Sequence, residues 1–229
     1  MIEIFPIEGI PEVEPGDDLA GLLAAAISRF TPRGRDILVV THKVVSKAEG
    51  ALAQATTDED YRGIVAAEAE AVVRRRGEMV IAVTRHGFVC ANAGVDRSNV
   101  TGDRVVLLPR NPDRSAHRIR TRLHQELGVD LAVIITDTFG RAWRKGLVDV
   151  AIGISGMNPI LDLKGRTDMH GRILEVTEVA VADEVAAAAE LAMGKSTGIP
   201  AALVRGVAYE SGPGRASELV RPPAEDMFR

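Results

Sequence analysis

Two polar residues follow a buried strand in the segment AVIITDTFGR, residues 132–141. An uninterrupted apolar run, residues 131–135, leads into Thr136, Asp137 and Thr138. In α/β proteins ligands bind just beyond strand ends, and a carboxylate beside a hydroxyl supplies the oxygen ligands that Mg²⁺ or Mn²⁺ prefers. The pattern predicts metal ligation by Asp137 and Thr138. The alternative is that Asp137 only caps a turn or a helix.

A second polar loop, GVDRSNV at residues 94–100, follows the small-residue segment VCANAG. If both loops leave one sheet, Asp96 and Asp137 can converge on one cation, which would offset the repulsion between two carboxylates. The alternative, at least as compatible with the sequence, is an Asx-turn in which Asp96 and Asn99 bond their own backbone.

Lysines occur at helical spacing in THKVVSK, residues 41–47. Lys43 and Lys47 could hold phosphate or carboxylate groups, although lysines of this kind are commonly just solvated surface residues. The segment MGKSTG, residues 193–198, contains the end of a P-loop signature. It follows a predicted helix and precedes a strand, the reverse of a P-loop, so it is not one.

A basic tract, RAWRKG at residues 141–146, lies directly behind Asp137. The planar guanidinium groups of Arg141 and Arg144 suit bidentate contacts with carboxylate or phosphate, and Lys145 adds positive charge. Trp143 is the only tryptophan, and it could either stack on a flat ring or simply pack. Together these features indicate a metal-dependent enzyme acting on anionic, phosphorylated substrates.

Composition restricts the class of protein. The chain has 229 residues, a formal net charge of -4 and 3% aromatic residues, which argues against binding to nucleic acid or to an anionic membrane. Its single cysteine, Cys90, fits a reducing compartment and an inert core position. With no signal peptide and no long apolar run, the sequence predicts a cytoplasmic location.

Strands and helices alternate along the chain, but several strands are adjacent and hairpin-like. We therefore expect an α/β (mixed α+β) fold with a mixed, largely antiparallel sheet and flanking helices. The predicted strands are 3–13, 36–42, 78–84, 87–94, 103–109, 132–138, 148–157 and 200–207, with a hairpin turn at 85–87. The predicted helices are 15–30, 58–76, 111–128 and 176–194, and residues 158–176 read as irregular.

These segments together resemble the coenzyme F420-0:L-glutamate ligase (F420 γ-glutamyl ligase) family, from about residue 3 to residue 207. The blocks that carry the resemblance are IEGIPEVEPGDDL, VVTHKVVSKAEG, ANAGVDRSNV, VVLLPRNPDRSA, VIITDTFGRAWRKG, VTEVAVADE and MGKSTGIPAALVRG. It implies a GTP-dependent ligase that adds L-glutamate to F420-0 and continues through γ-linkages. It also implies the mixed α/β fold of that family, in an intertwined homodimer.

The resemblance also assigns roles to residues and cofactors. GTP is the co-substrate, two divalent metals (Mg²⁺ or Mn²⁺) assist it, and a monovalent cation such as K⁺ can take part. Asp96 and Asp137 look like ligands of one metal and Thr138 like a ligand of a second, with Asp96, Asp137 and Arg141 as catalytic residues. GTP contacts would come from Ile10, Pro11, Glu12, Val13, His42, Lys47, Asn99, Gly194, Lys195, Ser196 and Thr197.

Two features depart from the family pattern. Position 42 is His, where relatives often have Ser, so we expect that nucleotide contact to differ here. We expect residues 1–210 to form the ligase domain and residues 211–229 a polar, loosely held tail, with no flavin-binding reductase-like domain after it.

Trp143, Arg144 and Lys145 are the expected substrate contacts. A metal-dependent phosphohydrolase and a nucleotide-binding regulatory protein are the alternative functions.

Overall fold

A computed structural model describes residues 1–98 and 102–227. Its helices are α1 (Leu19–Ser28), α2 (His42–Ala48), α3 (Asp58–Glu68), α4 (Pro112–Leu127) and α5 (Val181–Met193). Its strands are β1 (Glu3–Ile7), β2 (Ile37–Thr41), β3 (Leu52–Gln54), β4 (Ala69–Arg76), β5 (Met79–Thr84), β6 (Val89–Ala91), β7 (Arg104–Val106), β8 (Ala132–Arg141), β9 (Arg144–Ser155), β10 (Leu161–Asp162), β11 (Glu178–Val179) and β12 (Ala201–Arg205).

The central sheet has the strand order β1-β12-β2-β8-β9. The pair β2–β8 is parallel, and β1–β12, β12–β2 and β8–β9 are antiparallel. Helices α4 and α5 both pack on β9, and α1 packs beside α4. The middle strands β12, β2 and β8 are buried on both faces. Their apolar runs are accordingly continuous rather than alternating. The expected mixed, largely antiparallel sheet with flanking helices is confirmed.

Helix ends follow the sequence signals. Asp18 caps α1 by accepting a hydrogen bond from the Gly21 amide at 3.1 Å. Asn111 caps α4 in the same way, with Pro112 at its first turn, and Gly128 ends it in the left-handed conformation at φ 68°. These caps fix where each helix begins and therefore which face it turns toward the sheet.

The predicted helix over 58–76 is wrong in its second half. Helix α3 ends at Glu68, and Ala69–Arg76 forms β4, which pairs antiparallel with β5. The β-branched Val72 and Val73 favour an extended chain, and Gly77, at φ 60°, makes the turn into β5. With β6 these strands form a separate three-stranded sheet, and the turn predicted at 85–87 is confirmed.

Strand β8 is longer than predicted. Its parallel pairing with β2 stops at Thr41↔Thr136, but its pairing with β9 continues to Arg141↔Arg144. Asp137 and Thr138 therefore lie inside a strand, just past the point where β2 ends, rather than at the end of their own strand. The basic tract forms the tip of this β8–β9 hairpin.

The C-terminal segment is held more firmly than expected. Ala216 is 1% exposed and its amide donates to Asp113 Oδ1 at 3.0 Å. Gly214 lies so close to Met157 that an added Cβ would be 2.5 Å from the Met157 carbonyl oxygen. The expectation of a loosely held tail is therefore wrong for the part that includes Gly214 and Ala216. Within residues 1–98 and 102–227, no helix is both long and apolar enough to cross a lipid bilayer.

Candidate functional site

The two predicted metal aspartates lie against consecutive residues at the start of α2. His42 Nε2 is 3.2 Å from Asp137 Oδ1, and Lys43 Nζ is 2.8 Å from Asp96 Oδ2. Strand β2 ends at Thr41, so the chain delivers both basic side chains at the point where the parallel pairing with β8 stops. The structure thus brings Asp96 and Asp137 to the same turn of α2.

Asp96 is fixed through its backbone and its side chain. Its amide and carbonyl exchange hydrogen bonds with Val106 at 2.9 and 2.8 Å. Its Oδ1 accepts from the Ser98 amide at 2.6 Å, so the Asx-type local contact considered from the sequence is present. Asn99, its predicted partner and a predicted GTP contact, lies outside the described residues.

The Asp96 carboxyl is held in its ionised form. Burial alone would raise its pKa, but hydrogen bonds from Lys43 and Ser98 and the Lys43 charge outweigh burial and lower the pKa below its usual value. An anionic oxygen donor is what a hard divalent cation requires.

His42 leaves a buried polar atom beside the second carboxylate. The imidazole is 1% exposed, and its Nδ1 is 3.4 Å from Ser46 Oγ. Its Nε2 is near Asp137 Oδ1 but is not aligned for a hydrogen bond, so this buried nitrogen is unsatisfied. A buried polar atom without a hydrogen bond is rare and needs an explanation. A bound cation or phosphate next to Asp137 would provide one.

Asp96 and Asp137 are candidate ligands for a divalent metal that would share its coordination with a substrate. Among the residues that the structure describes, His, Cys, Asp and Glu side chains nowhere gather in threes in a way that could hold a metal. Mg²⁺ commonly binds through one or two carboxylates together with substrate phosphates and water, without a protein cage. Asp96 and Asp137 therefore suit a metal that arrives with a nucleotide.

The predicted first nucleotide segment lies beside α2. Lys47, with a side chain 9% exposed, forms an ion pair with Glu12, which is 68% exposed. Val13 is buried at 2% and anchors the segment in the main core, whereas Pro11 and Glu12 are exposed. The structure thus brings the segment 10–13 and Lys47 together.

A buried aspartate that the sequence analysis missed lies at the centre of a second polar cluster. Asp149 is 4% exposed and is the cross-strand partner of Thr138. Thr136 Oγ1 donates to Asp149 Oδ2 at 3.0 Å, and Thr138 Oγ1 donates to Asp149 Oδ1 at 2.7 Å. Lys195 Nζ donates to that same Asp149 oxygen at 2.6 Å. The sequence did contain one signal for Asp149, because it is an acidic residue within the otherwise apolar run VDVAIGI.

The loop after α5 supplies that lysine. Gly194, at φ 65°, ends α5, and Lys195 then turns back so that its Nζ also donates to Thr138 Oγ1 at 2.7 Å. The Thr197 hydroxyl donates to the Met193 carbonyl and closes the turn. Ser196 is exposed. Of the predicted loop residues, Lys195 is the one whose side chain reaches the β8–β9 strands.

The predicted substrate residues lie at the hairpin tip, away from α2. Trp143 is 88% exposed and has φ 63°. Arg141 donates to the Lys145 carbonyl at 3.3 Å, and Arg144 pairs with Arg141 across the strands. Beside the hairpin runs a trough of about 700 Å³. Its lining includes Ile81, Phe88, Val89, Phe139, Leu147 and Arg141.

Comparisons with known proteins identify the family of the chain. The family model described as F420-0:Gamma-glutamyl ligase matches residues 9–206. The chain is similar over its full length to proteins named "Coenzyme F420:L-glutamate ligase". The one from Methanopyrus kandleri is 44% identical with 97% of that protein covered, that from Archaeoglobus fulgidus 42% with 96%, and that from Methanothermobacter thermautotrophicus 41% with 99%. The chain therefore belongs to the F420-0:γ-glutamyl ligase family.

Proposed function

We propose that this protein is a GTP-dependent ligase that joins the amine of L-glutamate to the terminal carboxylate of coenzyme F420-0. It then adds further glutamates through γ-linkages and releases GDP and phosphate at each step. The observation that carries the proposal is the placement of Asp96 and Asp137 against consecutive residues of α2 in a chain of this family.

The reaction needs an activated carboxylate, because a carboxylate does not react with an amine unaided. In the proposed route the acceptor carboxylate attacks the γ-phosphorus of GTP, and the bond to GDP breaks. The glutamate amine then attacks the carbonyl carbon of the acyl phosphate, an amide bond forms, and phosphate leaves with the bonding electrons while the amine loses a proton. Stabilising the charge on the transferring phosphoryl group is the main task of the protein.

The residues around α2 would perform that task. Asp96 and Asp137 would hold a Mg²⁺ or Mn²⁺, which when bound offsets negative charge on the phosphate oxygens. A cation on Asp96 would replace Lys43 as the partner of that carboxylate, so the Lys43 ammonium could turn to a phosphate. Lys47 and the 10–13 segment would hold the rest of the nucleotide.

The acceptor would bind on the hairpin side of the site. The trough offers apolar walls for a flat ring, and the tip adds Trp143, Arg144 and Lys145 for stacking and for carboxylate groups. Arg141 lines the trough and also belongs to the tip, which supports a role for it near the acceptor carboxylate.

We also propose that the protein forms a homodimer through this side of the molecule. Met79 and Leu147 are 55% and 66% exposed, and both line the trough. Exposed apolar side chains that share one surface indicate a surface covered by another chain. Light scattering during size-exclusion chromatography would measure a mass of twice the 24.5 kDa chain, and a monomeric mass would contradict the dimer.

Mass spectrometry tests the ligase directly. F420-0 incubated with the protein, GTP, L-glutamate and Mn²⁺ or Mg²⁺ should gain successive glutamyl units. Asp137→Asn should gain none, whereas Asp162→Asn, an exposed aspartate in β10, should behave as wild type.

The competing functions give different results in the same experiment. Phosphate release from GTP that is independent of glutamate and F420-0 would indicate a phosphohydrolase. GTP binding without turnover would indicate a regulatory protein. Either result, without glutamyl addition, would overturn the proposal.

A further inference from the structure

We infer that the ammonium group of Lys195 takes the place of a second divalent cation at Thr138 and Asp149, so that this chain binds one exchangeable divalent metal rather than two. The inference rests on the proposed function only for the metal on Asp96 and Asp137, whereas the idea of a second divalent metal comes from the family resemblance. The inference concerns the position of the second divalent metal, which the family resemblance places on Thr138.

The cluster already contains a cation, which lies among three oxygen atoms. Lys195 Nζ lies 2.6 Å from Asp149 Oδ1, 2.7 Å from Thr138 Oγ1 and 3.3 Å from Glu190 Oε1. A lysine ammonium has three N–H donors and no acceptor. Two of these donors are used in hydrogen bonds to Asp149 and Thr138, and Glu190 adds an ion pair.

The oxygen atoms of the cluster are also hydrogen-bonded. Thr138 Oγ1 donates to Asp149 Oδ1, and Thr136 Oγ1 donates to Asp149 Oδ2. Each Asp149 oxygen therefore accepts from a hydroxyl, and Oδ1 also accepts from the ammonium. A second metal on Thr138 and Asp149 would have to displace Lys195, because two cations cannot share those two oxygens at contact distance.

Burial makes a cation at this position obligatory. Asp149 is 4% exposed, and a buried carboxylate needs a charge partner with hydrogen bonds. Lys195 supplies both from a side chain that is 54% exposed, so it covers the cluster from the solvent side. The residues therefore do not fit a second metal while Lys195 is present, and they do fit one if its ammonium is removed.

The geometry also separates the two cation positions. Successive side chains of a strand point to opposite faces. Asp137 approaches His42, whereas Thr136 and Thr138 share the face that carries Asp149 and Lys195. The Lys195 cluster can thus be tested without changing the Asp96–Asp137 site.

Manganese stoichiometry of the full chain tests the inference without substrates. Wild type, Lys195→Gln, Lys195→Arg and Lys164→Gln are each dialysed against MnCl₂, and the bound Mn²⁺ per chain is measured by elemental analysis. Lys195→Gln leaves Asp149 and Glu190 without their cation and offers an amide oxygen as a ligand. We expect it to bind one more Mn²⁺ per chain than wild type. Lys195→Arg keeps the charge and should match wild type.

Lys164→Gln is the matched control, because Lys164 is 45% exposed and also forms ion pairs with two carboxylates, Glu178 and Asp162. It should bind the same amount of Mn²⁺ as wild type. Melting experiments give a second readout: Mn²⁺ should raise the Tm of Lys195→Gln by more than it raises that of wild type, because metal binding to the native state stabilises it.

Two results would overturn the inference. One is an equal Mn²⁺ content in wild type and Lys195→Gln, and the other is anomalous density for manganese between Thr138 and Asp149 in wild-type crystals. Since the comparison uses Mn²⁺ alone, it is separate from the ligase assay. A protein that adds no glutamate could still show the extra Mn²⁺ in Lys195→Gln, and an active ligase could fail to show it.

Discussion

The imidazole of His42 lies with Nε2 3.2 Å from Asp137 Oδ1 and is 1% exposed. The histidine thus fills the space between the β2–α2 turn and the carboxylate that we assign to the metal.

Replacing His42 with Ala should cost stability because it leaves a cavity in the buried turn. We expect the free energy of unfolding, measured by urea denaturation, to fall by about 2 kcal/mol. His117→Ala, a change at an exposed position of α4, should stay within about 0.5 kcal/mol of wild type. Equal effects of the two substitutions would mean that His42 is not packed as the structure shows.

The ion pair between Arg205 and Asp36 lies far from the site, so we expect its loss to affect stability alone. Arg205 at the end of β12 donates to Asp36 from Nε at 3.0 Å and from Nη2 at 2.7 Å, and Asp36 is 2% exposed. Arg205→Met should destabilise the protein by about 3 kcal/mol, since it leaves a buried carboxylate uncompensated.

The matched control is Arg62→Met, which breaks an exposed ion pair with Glu78 and should cost at most about 1 kcal/mol. Glutamate addition per folded molecule should be unchanged in both variants. A loss of kcat in Arg205→Met at a temperature where it is fully folded would show that this pair influences the site.

The site shows which features a sequence can predict. From their residue types and their position after apolar strands, the sequence predicts that Asp96 and Asp137 bind a metal, and this stays a prediction. The structure brings both carboxylates to α2. Asp149 was missed because its role depends on the register of β8 with β9, which places it opposite Thr138. Register between strands is set by pairing over the whole hairpin, and no local pattern specifies it.

The errors in the fold have a related cause. Residues 69–76 carry charged residues that suit a helix, and only their pairing with β5 makes them a strand. The C-terminal segment reads as a polar tail, yet it carries Ala216 into a position beside Asp113. In both cases a partner distant in sequence determined the outcome, whereas the capped helices α1 and α4 depended on signals within the helix itself.

Stability should depend on pH through His86 in the β5–β6 turn. Burial lowers the pKa of its imidazole, and the backbone carbonyls of Pro109 and Arg110 only partly oppose that effect. Nε2 lies 3.0 and 3.2 Å from those two carbonyl oxygens, so the neutral ring carries its proton on Nε2. The native state therefore binds the second ring proton, on Nδ1, less readily than the unfolded chain does.

The direction of the pH dependence follows from the linkage between protonation and folding. A depressed pKa gives stability that is fully present above the ordinary histidine pKa of about 6.5 and is lost as the pH falls toward the folded-state pKa. We expect the Tm of wild type to fall more steeply than that of His86→Gln between about pH 7 and pH 5. Parallel curves for the two proteins would contradict the assignment of a buried neutral imidazole.

The tip of the β8–β9 hairpin combines backbone strain with exposure. Trp143 has φ 63° in the turn between Arg141 and Arg144, a conformation that costs a non-glycine residue about 1 kcal/mol. Strained residues persist where function requires the side chain. Trp143→Gly should therefore stabilise the protein by about 0.5–1 kcal/mol, while Trp143→Ala, which keeps a Cβ at positive φ, should not.

Activity measurements complete that test. If the indole stacks on the acceptor ring, both variants should lose on the order of ten-fold in kcat/KM for F420-0, the equivalent of one stacking contact. The KM for GTP should be unchanged, because the proposed nucleotide site lies at α2. Equal stability of the glycine and alanine variants would show that the turn is unstrained. Wild-type kcat/KM for F420-0 in both variants would show that Trp143 does not contact the acceptor. The trough walls would then be the surface that holds the ring.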